Sequence, residues 1–370
     1  MQVGSHNVYG ETVCKASHYR SGNGVVGNLR SRTMTKLNQN RDGSVAVLQA
    51  RKPGPQQTVP VKPKPALNAV CHNDLGARWT SAMRCGDFSA AWTISDEVLR
   101  RRVESDQDCC DWPRHLQYVW RGGALRDKRI LVRCYHGLGD TIQFIRFAAL
   151  LRNLARHTVF WVQPELLELA RAARGIDQAM PLHEGAPDVA YDLDIEIMEL
   201  PHALRITPEI LADNVPYLFA GNTGVASSRK RVGLVWRAGK WNPCRSIPVE
   251  LLMRLREVAG LELVSLQLDA EPAELTAIGA VDWRSADIHQ LATRVMTIDL
   301  VITVDTMTAH LAGALGRPVW TLLPAPCDWR WMEDRSDSPW YPSMRLFRQR
   351  QAGDWREVLD NIIAELTRGP

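Results

Sequence analysis

The sequence contains no run of about 18 apolar residues, so no segment of it can cross a bilayer as a helix. Its opening, MQVGSHNVYGETVCK, lacks the apolar stretch of a secretory signal. Among eight cysteines there is no CxxC pair, and only Cys109 and Cys110 are adjacent. No paired metal spacing exists, and reduced thiols in a cytosolic chain are the expectation. Acidic residues are scarce in residues 1–65, which hold two Asp/Glu against ten Lys/Arg. The rest of the chain has 35 basic and 39 acidic residues, so the positive charge belongs to the tail. A nucleic-acid-binding fold carries that charge on its folded surface, and no nucleic-acid partner is expected.

What is present points to a globular protein. The chain has 370 residues, 45% hydrophobic and 23% charged, too long for a single ordinary core. Residues 1–70 are basic and end in RKPGPQQTVPVKPKPALNAV. So few apolar residues cannot offset the entropy of ordering, and disorder is the expectation, with a Pro-rich spacer at its end. A weak contact of this tail with an anionic membrane surface is the rival reading. Residues 71–124 hold Leu75, Trp79 and Met83, then Phe88, Trp92 and Val98, near helical spacing, with Cys-Gly-Asp between. The spacing predicts one helical hairpin whose aromatic stripe is core; no second copy follows, so it is not a repeat array.

From residue 125 strands and helices alternate. KRILVR and TVFWV read as strands and PELLELARAARG as a helix within residues 125–225. Residues 226–370 repeat the scheme. RVGLVW, LELVSLQ, LVITV and RPVWTLL read as strands; PVELLMRLREVAG, DIHQLATRVMTI, DTMTAHLAGALG and DWREVLDNIIAELTR read as helices. Two such units imply two parallel sheets with helices on their faces, and ligands at the carboxyl ends of the strands.

Three strand-to-helix turns carry the chemistry. CYHGLGDTIQF puts Gly137 and Gly139 where the chain turns, room for a tight bend or a close ligand. Ile142 breaks the dinucleotide fingerprint and no GK[ST] follows, so it is not an ordinary nucleotide loop. Asp140 is then either a helix cap or a carboxylate presented to a cleft. VITVDTMTAHLAGALG places Asp305, Thr306 and Met307 at a helix start that suits a phosphate, with His310 one turn on. A capping Asp and a half-buried histidine explain the same residues. RAGKWNPCRS carries Arg237, Lys240, Arg245 and Ser246, cations for a leaving phosphate or simply a solvated loop.

HGLGDTIQFIRF, GLVWRAGKWNPCRSIP, LDLVITVDTMTAHLAGALGRPVWTLLP, DWRW and DSPWYPSMRLFRQ resemble the motifs of glycosyltransferase family 9. The likeness is greatest to its branch with tetratricopeptide helices before the catalytic region, of which the hairpin looks like a remnant. It spans roughly residues 125–366. The resemblance implies a GT-B fold, two Rossmann-like doubly wound domains facing a cleft. It also implies an inverting, metal-independent transfer from a nucleotide-diphosphate sugar, heptose in the better-known relatives, with no further cofactor. By that likeness Asp140 is the general base, with His136 the alternative. Lys240 or Arg245 steadies the departing charge; Ser246, Asp305, Thr306, Met307 and His310 lie against the diphosphate; Gln267 approaches the nucleoside. Two departures stand out: Met307 where the family usually has glycine after Asp-Thr, and the arginine after Trp236. Trp329, Trp331 and Trp340 either stack on a sugar or close an aromatic seam.

The leading expectation is therefore a cytoplasmic glycosyltransferase of polysaccharide or lipopolysaccharide assembly, acting on a glycan or lipid-linked acceptor. A sugar-nucleotide epimerase and a catalytically degenerate sugar-nucleotide-binding scaffold are the alternatives. The epimerase would need several acid/base groups where GLGD offers one carboxylate; Met307 favours the scaffold.

Overall fold

In the computed structural model, the structure describes residues 69–106, 109–110, 112–211, 215–221, 228–239 and 242–368. The basic tail and Lys240 lie outside them. The described residues from 71 on form one compact unit.

The expected hairpin is α1 (Ala69–Arg84) and α2 (Phe88–Ser105). Asp87 starts the second helix by accepting from the Ala90 N–H at 2.9 Å. Leu75, Trp79, Met83, Phe88, Trp92 and Val98 are all buried, as their spacing requires. They enter the same core as both sheets rather than a core of their own. The Trp92 indole N–H donates to the Ile206 carbonyl at 2.7 Å, and Trp79 meets Trp329 edge-on at 5.0 Å.

The first sheet comprises β1 (Arg129–Arg133), β2 (His157–Val162), β3 (Gln178–Pro181) and β4 (Leu193–Glu196). All its pairings are parallel, in the order β3-β2-β1-β4. Helices α3 (Leu138–Phe144), α4 (Ala148–Leu154), α5 (Leu167–Ala172) and α6 (Leu200–Ala203) belong to this half. The continuous Ile130-Leu131-Val132 run of β1 is fully buried on both faces, the pattern of a central parallel strand.

The second sheet comprises β5 (Lys230–Val235), β6 (Leu261–Ser265), β7 (Val281–Asp282), β8 (Leu300–Val304), β9 (Val319–Leu323) and β10 (Met344–Arg348). It too is parallel throughout, in the order β10-β9-β8-β5-β6-β7. Its helices are α7 (Val249–Leu252), α8 (Pro272–Ile278), α9 (Ile288–Val295), α10 (Met307–Ala314) and α11 (Arg356–Arg368).

Two parallel sheets flanked by helices are the doubly wound, GT-B-type arrangement expected. Each sheet reverses its strand order once, between β1 and β4 in the first and between β5 and β8 in the second. At such a reversal neighbouring crossovers leave in opposite directions, which opens a crevice at the carboxyl strand ends. The turn after β1 carries His136 to Asp140, and the turn after β8 carries Asp305 and Thr306. Helices α3 and α10 then rest against each other, so the halves touch here.

Candidate functional site

The glycines after β1 are needed for space rather than for an unusual backbone. Gly137 is extended at φ −68°, and Gly139 lies within the first turn of α3. Neither takes a positive φ in the strand-to-helix turn. A Cβ on Gly139 would stand 3.1 Å from His310 Cδ2 and 3.5 Å from Met307 Cα. A larger residue would push α3 off α10. A Cβ on Gly137 would press on the Asp140 carboxylate at 3.1 Å.

Asp140 is the third residue of α3, and its two oxygens have different partners. Oδ2 accepts from the Gly137 N–H at 3.0 Å, half of a capping box. Oδ1 accepts from Arg330 Nη2 at 2.6 Å, an ion pair between the two halves of the chain. The Asp140 side chain keeps 19% of its exposure and that of Arg330 only 6%. Arg330 completes its fork with Asp328 Oδ1 through Nη1 and with Gln143 Oε1 through Nε, both at 3.0 Å. Its guanidinium lies 4.5 Å over the Trp329 ring.

The start of α10 is more deeply buried. Arg245 Nη1 donates to the Asp305 carbonyl at 2.8 Å and stands 3.7 Å from its carboxylate. Burial first, then the neighbouring Asp328, raises the Asp305 carboxyl to about 6. Thr306 caps α10 and shares a hydrogen bond with the Thr303 hydroxyl at 3.1 Å. Met307, the first residue of α10, packs partly buried against the core. His310 bonds the Tyr341 hydroxyl through Nδ1 at 2.9 Å and stacks on Trp331 at 5.3 Å. Burial, then the charges of Arg330, Arg146 and Arg245, lowers its imidazole to about 3, so it is neutral at pH 7.

Of the sequence candidates, Gly137, Gly139, Asp140, Asp305, Thr306, Met307, His310 and Arg245 converge where α3 meets α10. His136 sits at the edge of this junction, its Nδ1 3.0 Å from Glu196, a buried carboxylate at the end of β4. Gln267 is committed to the loop after β5. Its Oε1 accepts the Trp236 and Arg237 N–H groups at 3.0 and 2.8 Å, and its Nε2 donates to Asp269 at 2.6 Å. Ser246 likewise accepts from the Ala238 N–H at 3.0 Å. Arg237 is paired with Glu274 and Asp269. Trp329, Trp331 and Trp340 are buried, so they form the aromatic seam and present no face to a sugar.

The sequence reading missed Arg330 and Glu196. DWRW was noticed for its tryptophans, and nothing in the spacing says that its arginine reaches Asp140, 190 positions away. Among the described residues no group of three or more His, Cys, Asp or Glu is placed to hold a metal ion.

No family model matches the chain. Protein FlbA of Caulobacter vibrioides is 26% identical over 293 residues, 67% of this chain and 48% of that protein. The chain therefore spans about half the length of that curated relative. Among solved structures it is similar to a glycosyl transferase family 9 protein from Veillonella parvula DSM 2008, at 13% identity and a TM-score of 0.47 over 61% of this chain and 87% of that one. E. coli heptosyltransferase WaaC, solved with ADP-2-deoxy-2-fluoro heptose, gives 12% identity and 0.43 over 64% and 99%. TibC, an iron-containing dodecameric glycosyltransferase of enterotoxigenic E. coli H10407, gives 12% and 0.46 over 64% and 67%. The fold assignment rests on the chain's own two sheets.

Proposed function

We propose that this chain is a metal-independent, inverting glycosyltransferase that moves a sugar from a nucleotide-diphosphate donor to a hydroxyl of a glycan or lipid-linked acceptor. The observation that carries the reading is the meeting of two strand-reversal turns from separate sheets. Asp140 lies on one, and the α10 start with Arg245 lies on the other. Asp140 takes the acceptor proton as the hydroxyl oxygen bonds to the anomeric carbon. The bond to the diphosphate oxygen breaks and its electron pair leaves with the diphosphate. Arg245 and the N–H groups opening α10 meet that charge. A carboxylate has about four acceptor positions, so the two bonds it makes here leave capacity for a proton. Cytoplasmic work in polysaccharide or lipopolysaccharide assembly belongs to the same reading; among the described residues no helix is long and apolar enough to cross a membrane.

The contact of Gly139 with Met307 and His310 favours a second reading, a sugar-nucleotide-binding module without turnover. One experiment separates the two. Thermal melts with ADP, UDP and GDP are expected to shift upward with at least one of them. Acceptor-dependent release of that nucleotide from its sugar conjugate is then expected, and Asp140→Asn lowers it by about 10²–10⁴-fold without weakening the melt shift. A melt shift with no release in the wild type selects the module. Undiminished release by Asp140→Asn removes Asp140 as the base.

A further inference from the structure

The candidate acid does not stand alone: an arginine from the other half of the chain holds it. Arg330 is the third residue of DWRW, on the short 3-10 turn Trp329–Trp331. Its fork reaches Asp140 at 2.6 Å, Asp328 at 3.0 Å and Gln143 at 3.0 Å, two of these three on α3. Burying a guanidinium is costly unless its N–H groups are matched, and here carboxylates and an amide match them. The same planar fork fits phosphate oxygens as well as it fits a carboxylate. The start of α10 is close by. Gly139, next to Asp140, abuts Met307 and His310, and the Arg330 charge acts on both Asp305 and His310.

We propose that Arg330 is a positioning residue shared between Asp140 and the donor: it holds the acid while the site is empty and turns to the diphosphate when a donor enters. This rests on the glycosyltransferase reading and adds to it a coupling between donor arrival and release of the base. Asp140 and the diphosphate then compete for one guanidinium. That competition has a sign which a merely structural tie between the halves lacks: removing the Asp140 charge tightens anion binding, and only while Arg330 is present.

A double-mutant cycle on the full chain tests it, titrating pyrophosphate, ADP, UDP and GDP by calorimetry near neutral pH. Asp140→Asn is expected to raise affinity for the bound probe by about threefold or more, and Arg330→Gln to lower it by about tenfold. In the Asp140→Asn, Arg330→Gln pair the gain disappears. Arg330→Lys keeps the charge without the fork and guards against a misfolded glutamine variant; in its background the gain is smaller than in the wild type. No gain from Asp140→Asn, or an equal gain without the Arg330 fork, overturns the proposal while leaving the donor reading intact. Binding of none of the four probes by any variant, the wild type included, overturns both.

Discussion

The turn after β1 and the turn after β8 are built to one plan, a buried strand, a short bend and a helix start bearing an aspartate, yet they treat the charge in opposite ways. Asp140 keeps some exposure and meets an arginine fork at 2.6 Å. Asp305 is 8% exposed, with the Arg245 guanidinium 3.7 Å from its carboxylate and Asp328 opposing its ionisation. The helices differ in the same way. The first turn of α3 opens on three half-buried residues, Leu138, Gly139 and Asp140, whereas every residue of α10 from Thr308 to Ala314 is buried. One turn is equipped to present a carboxylate, and the other to suppress the ionisation of one by burial. Parallel topology fixes the place of the two sites, while burial and the nearest cation fix their chemistry.

The largest effect comes from the seam that brings the turns together. Trp340 is 1% exposed; its indole donates to the Arg330 carbonyl at 2.6 Å, and its ring meets Phe144 of α3 edge-on. Trp340→Ala is expected to cost about 3–5 kcal/mol in denaturant unfolding, the range for a deleted core aromatic. A loss below about 1 kcal/mol would mean that the halves do not depend on this seam. Next is Asp305→Asn, where the sign is the informative part. A folded value of about 6 against the ordinary 3.8 means that the folded state binds more protons than the unfolded state between those pH values. That contribution is full below about 3.8 and lost as pH rises through about 6. Asp305→Asn is therefore expected to stabilise the protein above pH 6 by up to about 3 kcal/mol, with the gain shrinking toward pH 4. Equal melting shifts at both ends of that range would erase the contrast with Asp140. The smallest effect is that of Gly139→Ala. Alanine favours a helix by about 1 kcal/mol over glycine, but its methyl meets an imidazole fixed by Tyr341 and Trp331. A net loss of about 1 kcal/mol is expected, and a net gain would mean that α3 is free to move away from α10.

The architecture was legible where hydrophobic runs are long. LVITV matches β8 end to end, and Leu75, Trp79 and Met83 lie inward as their period predicts. Strand β3 was harder, since QAMP is four residues with exposed ends, and β10 carries two arginines, Arg345 and Arg348, in five residues. The helix expected over 248–260 is only Val249–Leu252, continued as the 3-10 turn Met253–Glu257. For the site, turn chemistry was legible and partnership was not. Asp140 stood out because a carboxylate after two glycines is odd, but Arg330 reaches the turn from a distant 3-10 turn and Glu196 from the end of β4. Arginine and glutamate are common surface residues, and only the closed fold shows that these two are buried.

The helical pair at residues 69–105 touches each half with one indole, Trp92 at the Ile206 carbonyl and Trp79 at the Trp329 ring. Any spreading of the two lobes that admits a ligand between α3 and α10 has to disturb at least one of these contacts. The packing of these two indoles is thus tied to the separation of the lobes, and the helical pair acts as a clasp across them.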